Sequence, residues 1–359
     1  MQSAEMRPIF LNDTELRALI ESKPYTAVVN AFDRQLKELF FIKNHAFIGQ
    51  DKSQVYASTE YTAYAQATAD DYTHVYYPWN HHVVKTVTKD AYLALKTNRN
   101  QDLITADEQL ILSEYRIGIF GLSVGSNVAF TLAQAGISNS IILADFDELD
   151  TTNLNRIMAG VHQVGLNKTV IAARHIYEDN PFAEVTSMTA GVDTDSLRQL
   201  LEEKRLDCMI DEVDDISFKI SARKLAIEYK IPVVMVTDNG DGIVLHVERY
   251  DLGHGKIFGK DPAYFDALQG ALMSREQAGQ IIMKDIVGGM DRVNPEMLKS
   301  VKRTLAKELV SWSQLGSAAL LGGVVATYII KQIALHKNSD RDIRAYIAPR
   351  LAEWSSHSA

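Results

Sequence analysis

The chain has 359 residues, of which 46% are hydrophobic and 23% charged, the composition of an ordinary globular protein. Its formal net charge is −9 and it contains no run of lysine and arginine, which argues against a nucleic-acid partner. The single cysteine, Cys208, excludes an intrachain disulfide and a zinc site built from several cysteines, and it favours a cytoplasmic protein.

Residues 1–100 are predicted to form a separate N-terminal region of uncertain fold. The chain begins without the charged-then-apolar pattern of a signal peptide. Residues 14–45 have the pattern of a helix, and a stretch rich in Tyr, Thr, Asp and His follows them. His81 and His82 are adjacent in that stretch, so on a strand they would point to opposite faces and could not chelate one metal ion.

Residues 101–359 are predicted to form an α/β domain. Short β-branched runs alternate with helical patterns from residue 116 onward, which is typical of βαβ units in a parallel sheet. The predicted strands are 116–120, 140–145, 183–188, 206–211, 231–237 and 242–251. The predicted helices between them are 125–136, 167–180, 194–204 and 216–230. The fold class is therefore a Rossmann-like, mostly parallel sheet with helices on both faces, and the alternating pattern of 242–251 predicts a strand with one solvated face.

Three further segments complete the prediction. Residues 262–312 are helical and rich in polar side chains, which indicates a helical insertion. The apolar run 315–330 is shorter than the roughly 20 residues of a membrane span, so we expect a helix over 315–335 that is buried on all sides, and no membrane partner. A final amphipathic helix is predicted over 342–354.

The sequence IFGLSVGSNV at 119–128 allows two interpretations. Gly121, Ser123 and Gly125 match the G-x-S-x-G turn that presents the nucleophilic serine of an α/β-hydrolase. That reading requires several earlier strands and an oxyanion loop, neither of which the sequence shows. The same residues match a glycine-rich turn that holds a phosphate against the first turn of a helix, although Ser123 stands where a second glycine is usual.

Residues after the second strand favour the nucleotide interpretation. Asp145 ends that strand 24 residues after Gly121, where a carboxylate can bind the ribose hydroxyls of a nucleotide. Asn153, Arg156 and Lys168 follow it and are expected to converge on the same edge of the sheet. So much positive charge is typical of a site that breaks a triphosphate bond, because negative charge then develops on phosphate oxygens.

The segments GLSVGS, ADFDELDTTNLNR and GLNK together resemble the adenylating domain of ThiF/MoeB-type proteins, the ubiquitin-activating-enzyme-like family. The resemblance covers about residues 95–250, and residues 314–333 are similar to a late Gly/Ala-rich helix of the family. It implies an ATP-dependent adenylyltransferase in which a substrate carboxylate attacks the α-phosphate of ATP and forms an acyl-adenylate. The substrate would be the C-terminus of a ubiquitin-like protein, a peptide or a small acid.

The resemblance also implies roles for individual residues. Asp145 would hold the ribose, Asn153 would position the nucleotide, and Arg156 and Lys168 would contact the phosphates. Gly121, Ser123 and Gly125 would form the phosphate turn. Asp214 aligns with an aspartate that binds Mg²⁺, although it is crowded among Asp211, Glu212 and Asp215, where a solvated acidic turn is the alternative. Arg99 would reach the ATP site of the partner in a homodimer, or else be an ordinary surface arginine.

A thioester-forming cysteine is not expected, because the region 238–312, where the family would carry it, contains no cysteine. Cys208 lies within a predicted strand and is expected to be buried and inert. An activated acyl group would therefore pass to an external nucleophile.

Two other functions stay open at this point. A Rossmann-type oxidoreductase that binds NAD(H) would give Lys168 and Arg156 no role. A non-catalytic nucleotide-binding scaffold is favoured by the altered turn and the acidic cluster.

Overall fold

The computed structural model describes residues 6–269, 275–337 and 340–348, and the chain forms two compact units. The first unit consists of Met1–Gln109 and Tyr177–Phe182, and the second of Leu110–Ile176 and Ala183–Ala359.

The first unit contains a four-stranded sheet in the order β1-β3-β4-β2. Its elements are β1 (Ile9–Leu11), α1 (Asp13–Ser22), β2 (Ala27–Asn30), α2 (Phe32–Lys43), α3 (Lys52–Tyr56), α4 (Thr59–Ala67), β3 (Tyr72–Tyr77), β4 (His82–Val87) and α5 (Lys89–Lys96). Phe32, Leu36, Leu39 and Val87 form a core cluster between α2 and the sheet.

The prediction of a continuous helix over 14–45 was wrong, because β2 interrupts it and pairs in parallel with β4. Pro24 cannot continue a helix from Ser22, and the adjacent β-branched residues Val28 and Val29 favour a strand.

The second unit contains a seven-stranded sheet in the order β11-β10-β9-β8-β5-β6-β7. After α6 (Ala106–Glu114), which begins in the first unit, its elements up to the insertion are β5 (Ile117–Phe120), α7 (Gly125–Gln134), β6 (Ser140–Ala144), α8 (Lys168–Asp179), β7 (Glu184–Met188), α9 (Thr194–Glu202), β8 (Cys208–Asp211), α10 (Ile216–Tyr229), β9 (Val233–Asn239) and β10 (Gly242–Glu248). The last turn of α8, from Tyr177, belongs to the first unit. The strands from β5 to β9 are mutually parallel, in the order 3-2-1-4-5 of a Rossmann-like sheet.

The remaining elements are α11 (Pro262–Gln269), α12 (Arg275–Ile281), a π-helical turn (Ile282–Ile286), α13 (Pro295–Leu305), α14 (Gly316–Ala334) and β11 (Ile343–Ile347). Helices cover both faces of the sheet, as predicted. Gly322 of α14 lies against Val236, whereas Ile220 of α10 clusters with Met235, and adjacent residues of a strand point to opposite faces.

Strand β10 corrects the prediction of a solvated face, since all seven of its residues are buried. Its two polar side chains have internal partners. His246 bonds to the carbonyl of Ile286, and Glu248 pairs with Arg223. The alternating pattern therefore reflects buried polar groups that bond within the protein and not exposure to water.

The C-terminal segment differs from the predicted helix over 342–354. Residues 343–347 form the strand β11, which pairs antiparallel with β10, and residues from Pro349 onward lie outside the described residues. The alternating side chains of Ile343, Ala345 and Ile347 suit a strand with one covered face.

Helix α14 has the length and hydropathy of a membrane span. Half of its 18-residue apolar stretch is nevertheless buried inside the chain. A Cβ at Gly323 would lie 2.7 Å from the carbonyl oxygen of Asn127, and the Thr131 and Thr327 hydroxyls are 2.7 Å apart. The small residues thus let α14 approach α7 closely. The prediction of a helix buried on all sides was wrong, because Leu320, Val324 and Tyr328 are exposed.

Candidate active site

The candidate site lies at the carboxyl edge of the seven-stranded sheet, where β5 and β8 are neighbours. The connections leave these two strands in opposite directions, which opens a crevice beyond their carboxyl ends. Ligands of Rossmann-like proteins bind in such a crevice. The predicted site segments after β5, β6 and β8 all start from this edge, because parallel strands end there together.

The glycine turn is held by a close approach of two backbone segments. Gly121 has φ +87°, and a Cβ there would overlap the carbonyl group of Glu212. Its N–H donates to the Ala144 carbonyl at 2.9 Å, and Gly125 begins α7 directly after the turn. Only glycine satisfies both the backbone angle and the lack of space at position 121.

We expect Gly121→Ala to lower the free energy of unfolding by about 2 kcal/mol or more, because it combines a strained φ with backbone overlap. Gly165→Ala is the matched control, since Gly165 has the same φ of +87° but no atom within 4 Å of the added Cβ. Urea unfolding of both variants separates the two costs. Equal losses would show that overlap with Glu212 is unimportant.

Ser123 does not have the geometry of a hydrolase nucleophile. In a nucleophile elbow the serine has a strained backbone, whereas the φ of Ser123 is not positive. Its hydroxyl accepts a hydrogen bond from Nε of Arg156 at 2.9 Å, and no described histidine bonds to it.

We therefore expect no labelling of Ser123 by a fluorophosphonate probe under conditions that label a known serine hydrolase. Labelling that disappears in Ser123→Ala would restore the hydrolase interpretation.

Arg156 is half-buried and faces the glycine turn. Besides Ser123, its guanidinium contacts the side chain of Asn155 at 3.0 Å and the carbonyl of Thr152 at 3.3 Å. Burial lowers the pKa of Arg156, and the charges of Asp238 and Asp214 partly oppose that shift. Asn127, fully buried in α7, donates to the Arg156 carbonyl at 2.9 Å and fixes this segment. The structure thus brings Ser123 and Arg156 together.

Lys168 and Asp145 meet beside the same turn, next to Leu122. Asp145 is buried, accepts hydrogen bonds from the N–H groups of Leu122 and Asp147 at 2.6 and 2.8 Å, and lies 3.9 Å from Nζ of Lys168. Burial raises the pKa of Asp145, although Lys168 opposes the shift. One Asp145 oxygen therefore helps to order the glycine turn, and the other orders the loop after β6.

Asp147 is a further acid of the site that was not predicted from the sequence. Its side chain is 53% exposed, and it pairs with Lys168 at 2.7 Å, so it presents a carboxylate to the crevice. The signal was available in the spacing Asp-x-Asp at 145–147.

Asn153, by contrast, uses its Oδ1 to accept from the N–H of Asp150 at 3.0 Å, which gives it a local role in a 3₁₀ turn.

The four acidic residues at 211–215, at the end of β8, differ in their contacts. Asp211 is fully buried and bonds to Lys219 and Arg223. Glu212 accepts from the N–H of Val236, and Asp215 caps α10 by accepting from the N–H of Phe218. These three acids serve the fold.

Asp214 is the remaining acid of the cluster, exposed and without a hydrogen bond to any described residue. Its charge acts on Arg156, which places it near the glycine turn. Across the described residues, no group of three or more His, Cys, Asp or Glu side chains could hold a metal ion by itself. A cation here would need ligands from a bound nucleotide in addition to Asp214.

Asp238 is a second acid of this edge that the sequence analysis missed. It is 5% exposed at the end of β9, its Oδ2 lies 3.5 Å from the Gln314 amide, and its Oδ1 has no partner among the described residues. Burial raises the pKa of Asp238 to about 6, although the charge of Arg156 opposes the shift. No sequence motif marked this position.

The raised pKa makes Asp238 destabilising at neutral pH. The folded state holds the proton more tightly than the unfolded state, so the stabilising contribution is complete below about pH 4 and is lost as pH rises through 6. Asp238→Asn should therefore raise the free energy of unfolding at pH 8 by on the order of 1–3 kcal/mol, with a smaller gain at pH 4.5. Urea unfolding at both values tests this, and an equal gain at both would contradict it.

Two further predicted residues remain to be located. Arg99 is exposed in the 3₁₀ turn Asn98–Asn100 of the first unit, and its role in a partner's site stays a prediction. Cys208 is fully buried in β8, and burial raises the pKa of its thiol far above the usual range, as expected of an inert cysteine.

Comparison with known proteins gives several curated relatives, including the following two. An uncharacterized protein of Mycobacterium tuberculosis (strain CDC 1551 / Oshkosh) is 40% identical over 181 residues, which are 50% of this chain and 25% of that protein. The tRNA threonylcarbamoyladenosine dehydratase of Bacillus subtilis (strain 168) is 30% identical over 139 residues, 38% of this chain and 54% of the enzyme. The chain thus spans about half or less of the length of these relatives.

A solved structure and a family model complete the comparison. The crystal structure of E. coli MccB with ATP matches at 14% identity and a TM-score of 0.49, covering 81% of this chain and 76% of MccB. The model of the ThiF family matches residues 95–355, which include every predicted site residue. Because this match extends over well more than half of its length, the chain belongs to the ThiF family.

Proposed function

We propose that the protein is an ATP-dependent adenylyltransferase that activates a substrate carboxylate as an acyl-adenylate. The observation that carries the proposal is the arrangement around the glycine turn. Arg156 bonds to Ser123 of the turn, and Lys168 pairs with Asp147 and lies near Asp145, which bonds to Leu122 of the turn. Cations and carboxylates in these places suit the phosphates and the ribose of a nucleotide.

The proposed reaction is a substitution at the α-phosphorus of ATP. A carboxylate oxygen of the substrate forms a bond to that phosphorus, the bond to the bridging oxygen of the β-phosphate breaks, and pyrophosphate leaves with the electron pair. Negative charge builds on the phosphoryl oxygens and the leaving group. Arg156 and Lys168 donate hydrogen bonds to that charge, and Asp147 shares the ribose hydroxyls with Asp145.

Mg²⁺ would be held by Asp214 together with phosphate oxygens. Magnesium commonly uses one or two protein carboxylates and completes its shell with phosphates and water, so a single free acid fits. The bound ion would neutralise charge on the polyphosphate. Asp211, Glu212 and Asp215 do not compete for it, because each is already bonded within the fold.

The proposed substrate is a ubiquitin-like protein C-terminus, a peptide or a small acid. The acyl group passes directly to an external nucleophile, since Cys208 is buried and no other cysteine exists in the chain. The active form is a homodimer in which Arg99 of one subunit completes the site of its partner.

Pyrophosphate exchange into ATP tests this proposal. Candidate carboxylates, including peptides that end in Gly-Gly, are added with Mg²⁺, and exchange is expected only when a cognate carboxylate is present. Asp214→Asn should reduce exchange and raise the Mg²⁺ concentration needed for half-maximal rate. Glu184→Gln is the matched control, because Glu184 is exposed at the opposite edge of the sheet.

Two results would contradict the proposal. One is wild-type exchange in Asp214→Asn at every Mg²⁺ concentration. The other is binding of NADH in preference to ATP, which would favour the oxidoreductase instead.

A further inference from the structure

A second cavity, of about 360 Å³, opens at the amino edge of the larger sheet, away from the glycine turn. Strand β10 runs antiparallel to β9, and Glu248 at its end pairs with Val233, the first residue of β9. The cavity is bounded by this end of β10, the start of β11 and the π-helical turn Ile282–Ile286. It is therefore separate from the proposed nucleotide site.

The floor of the cavity presents an unused acceptor on His246. This histidine is 3% exposed, and its Nε2 lies 2.8 Å from the carbonyl oxygen of Ile286. A carbonyl can only accept, so Nε2 carries the hydrogen and Nδ1 keeps a free electron pair. No described residue donates to Nδ1. Burial lowers the pKa of His246 to about 3, so the ring is neutral at physiological pH.

Asp285 supplies a second unused acceptor. It is 1% exposed, and its Oδ2 accepts from the hydroxyl of Tyr264 at 3.3 Å, whereas Oδ1 has no partner among the described residues. An unsatisfied buried carboxylate oxygen costs free energy, so it calls for a ligand that donates. Asp285 lies in the π-helical turn, a rare conformation that is frequent at functional sites.

The mouth of the cavity has an excess of positive charge. Lys260 and Lys284 are exposed there, and neither forms an ion pair with a described residue. Among the described residues, the Arg344 side chain bonds only to backbone carbonyls, those of Phe258 and Asp285.

The other acids of the wall are already paired. Glu248 pairs with Arg223, and Asp342 lies 2.8 Å from Nδ1 of His254. The cations at the mouth are therefore available to an anionic ligand.

The buried part of the cavity offers hydrogen-bond acceptors and suits a positively charged group. Its mouth offers cations and suits a negatively charged group. We propose that the cavity binds a small zwitterion of the α-amino-acid class, with the ligand's ammonium at Asp285 and His246. The ligand's carboxylate lies at the mouth, against Lys260, Lys284 and Arg344. An ammonium supplies donors for both unused acceptors, and a carboxylate on the same molecule suits the cations.

The test uses free amino acids with the whole chain. Each standard L-amino acid is screened singly for a rise in the thermal midpoint, and the strongest is titrated calorimetrically. We expect binding by at least one, weakened at least about tenfold in Lys284→Gln and in Asp285→Asn. The amide of that amino acid, which lacks the carboxylate, and its deaminated acid, which lacks the ammonium, should bind at least about tenfold more weakly.

Lys299→Gln is the matched control, since Lys299 is exposed on α13, outside the cavity, and should leave the affinity unchanged. ATP binding, measured in parallel, should equal wild type in Lys284→Gln, which separates this site from the nucleotide site. The proposal fails if no amino acid binds, if affinity survives both cavity substitutions, or if the amide or the acid binds as well as the amino acid. These results do not depend on whether the adenylyltransferase proposal holds.

Discussion

Lys168→Ala is expected to lower pyrophosphate exchange by at least about a hundredfold, the usual cost of removing one donor to transition-state charge. Lys168 is 8% exposed at the first position of α8. Its ammonium balances Asp147 at 2.7 Å and the buried Asp145 at 3.9 Å. Without it, the two carboxylates would repel the polyphosphate, so the affinity for ATP should fall as well.

Three measurements separate this effect from loss of structure. Thermal unfolding shows whether the variant folds, calorimetric titration gives its affinity for ATP, and exchange gives its rate. Lys299→Ala is the control, because it removes an exposed lysine from α13. Exchange that survives in a folded Lys168→Ala protein would show that the phosphate site has been assigned wrongly.

Arg223→Met is expected to lower the free energy of unfolding by about 3–5 kcal/mol, the usual cost of leaving buried charges unpaired. Arg223 is completely buried and bonds to Asp211 at 2.5 Å and to Glu248 at 2.6 Å. Burial alone would raise the pKa of Asp211, but Lys219 and Arg223 hold it below its usual value. The substitution leaves Glu248 without its cation and Asp211 with Lys219 alone.

The triple variant Arg223→Met, Asp211→Asn, Glu248→Gln tests that explanation. It removes the stranded charges and should recover a large part of the lost stability. Arg198→Ala is the control, because Arg198 and Glu228 form an exposed pair and its loss should matter little. A decrease below about 1 kcal/mol for Arg223→Met alone would contradict a structural role for this network.

The order of strands and helices after residue 116 could be predicted because each element carries its own local pattern. Strands β5 and β6 are short apolar runs, each followed by a helical pattern. The predictions for β10 and β11 were wrong because the conformation or burial of these strands depends on contacts with residues distant in sequence. Residues 343–347 form a strand because β10 offers a partner edge, and the polar side chains of β10 can be buried because Arg223 and the Ile286 carbonyl bond to them. Neither partner can be read from the local sequence.

The candidate site divides in the same way. Gly121, Arg156 and Lys168 could be selected because motif spacing places them after strands that end at one edge. The sequence alone could not distinguish Asp214 from its acidic neighbours, since only the fold shows that Asp211 pairs with Arg223. Asp238 lies at the same edge without a motif, and only its burial and its unpartnered oxygen distinguish it.

A crystal structure of the protein with Mg²⁺ and a non-hydrolysable ATP analogue tests the central claim most directly. We predict the ribose at Asp145 and Asp147, the phosphates between Arg156 and Lys168, and the metal ion at Asp214. A nucleotide bound elsewhere on the chain, or bound at this edge with its phosphates away from both cations, would contradict the account.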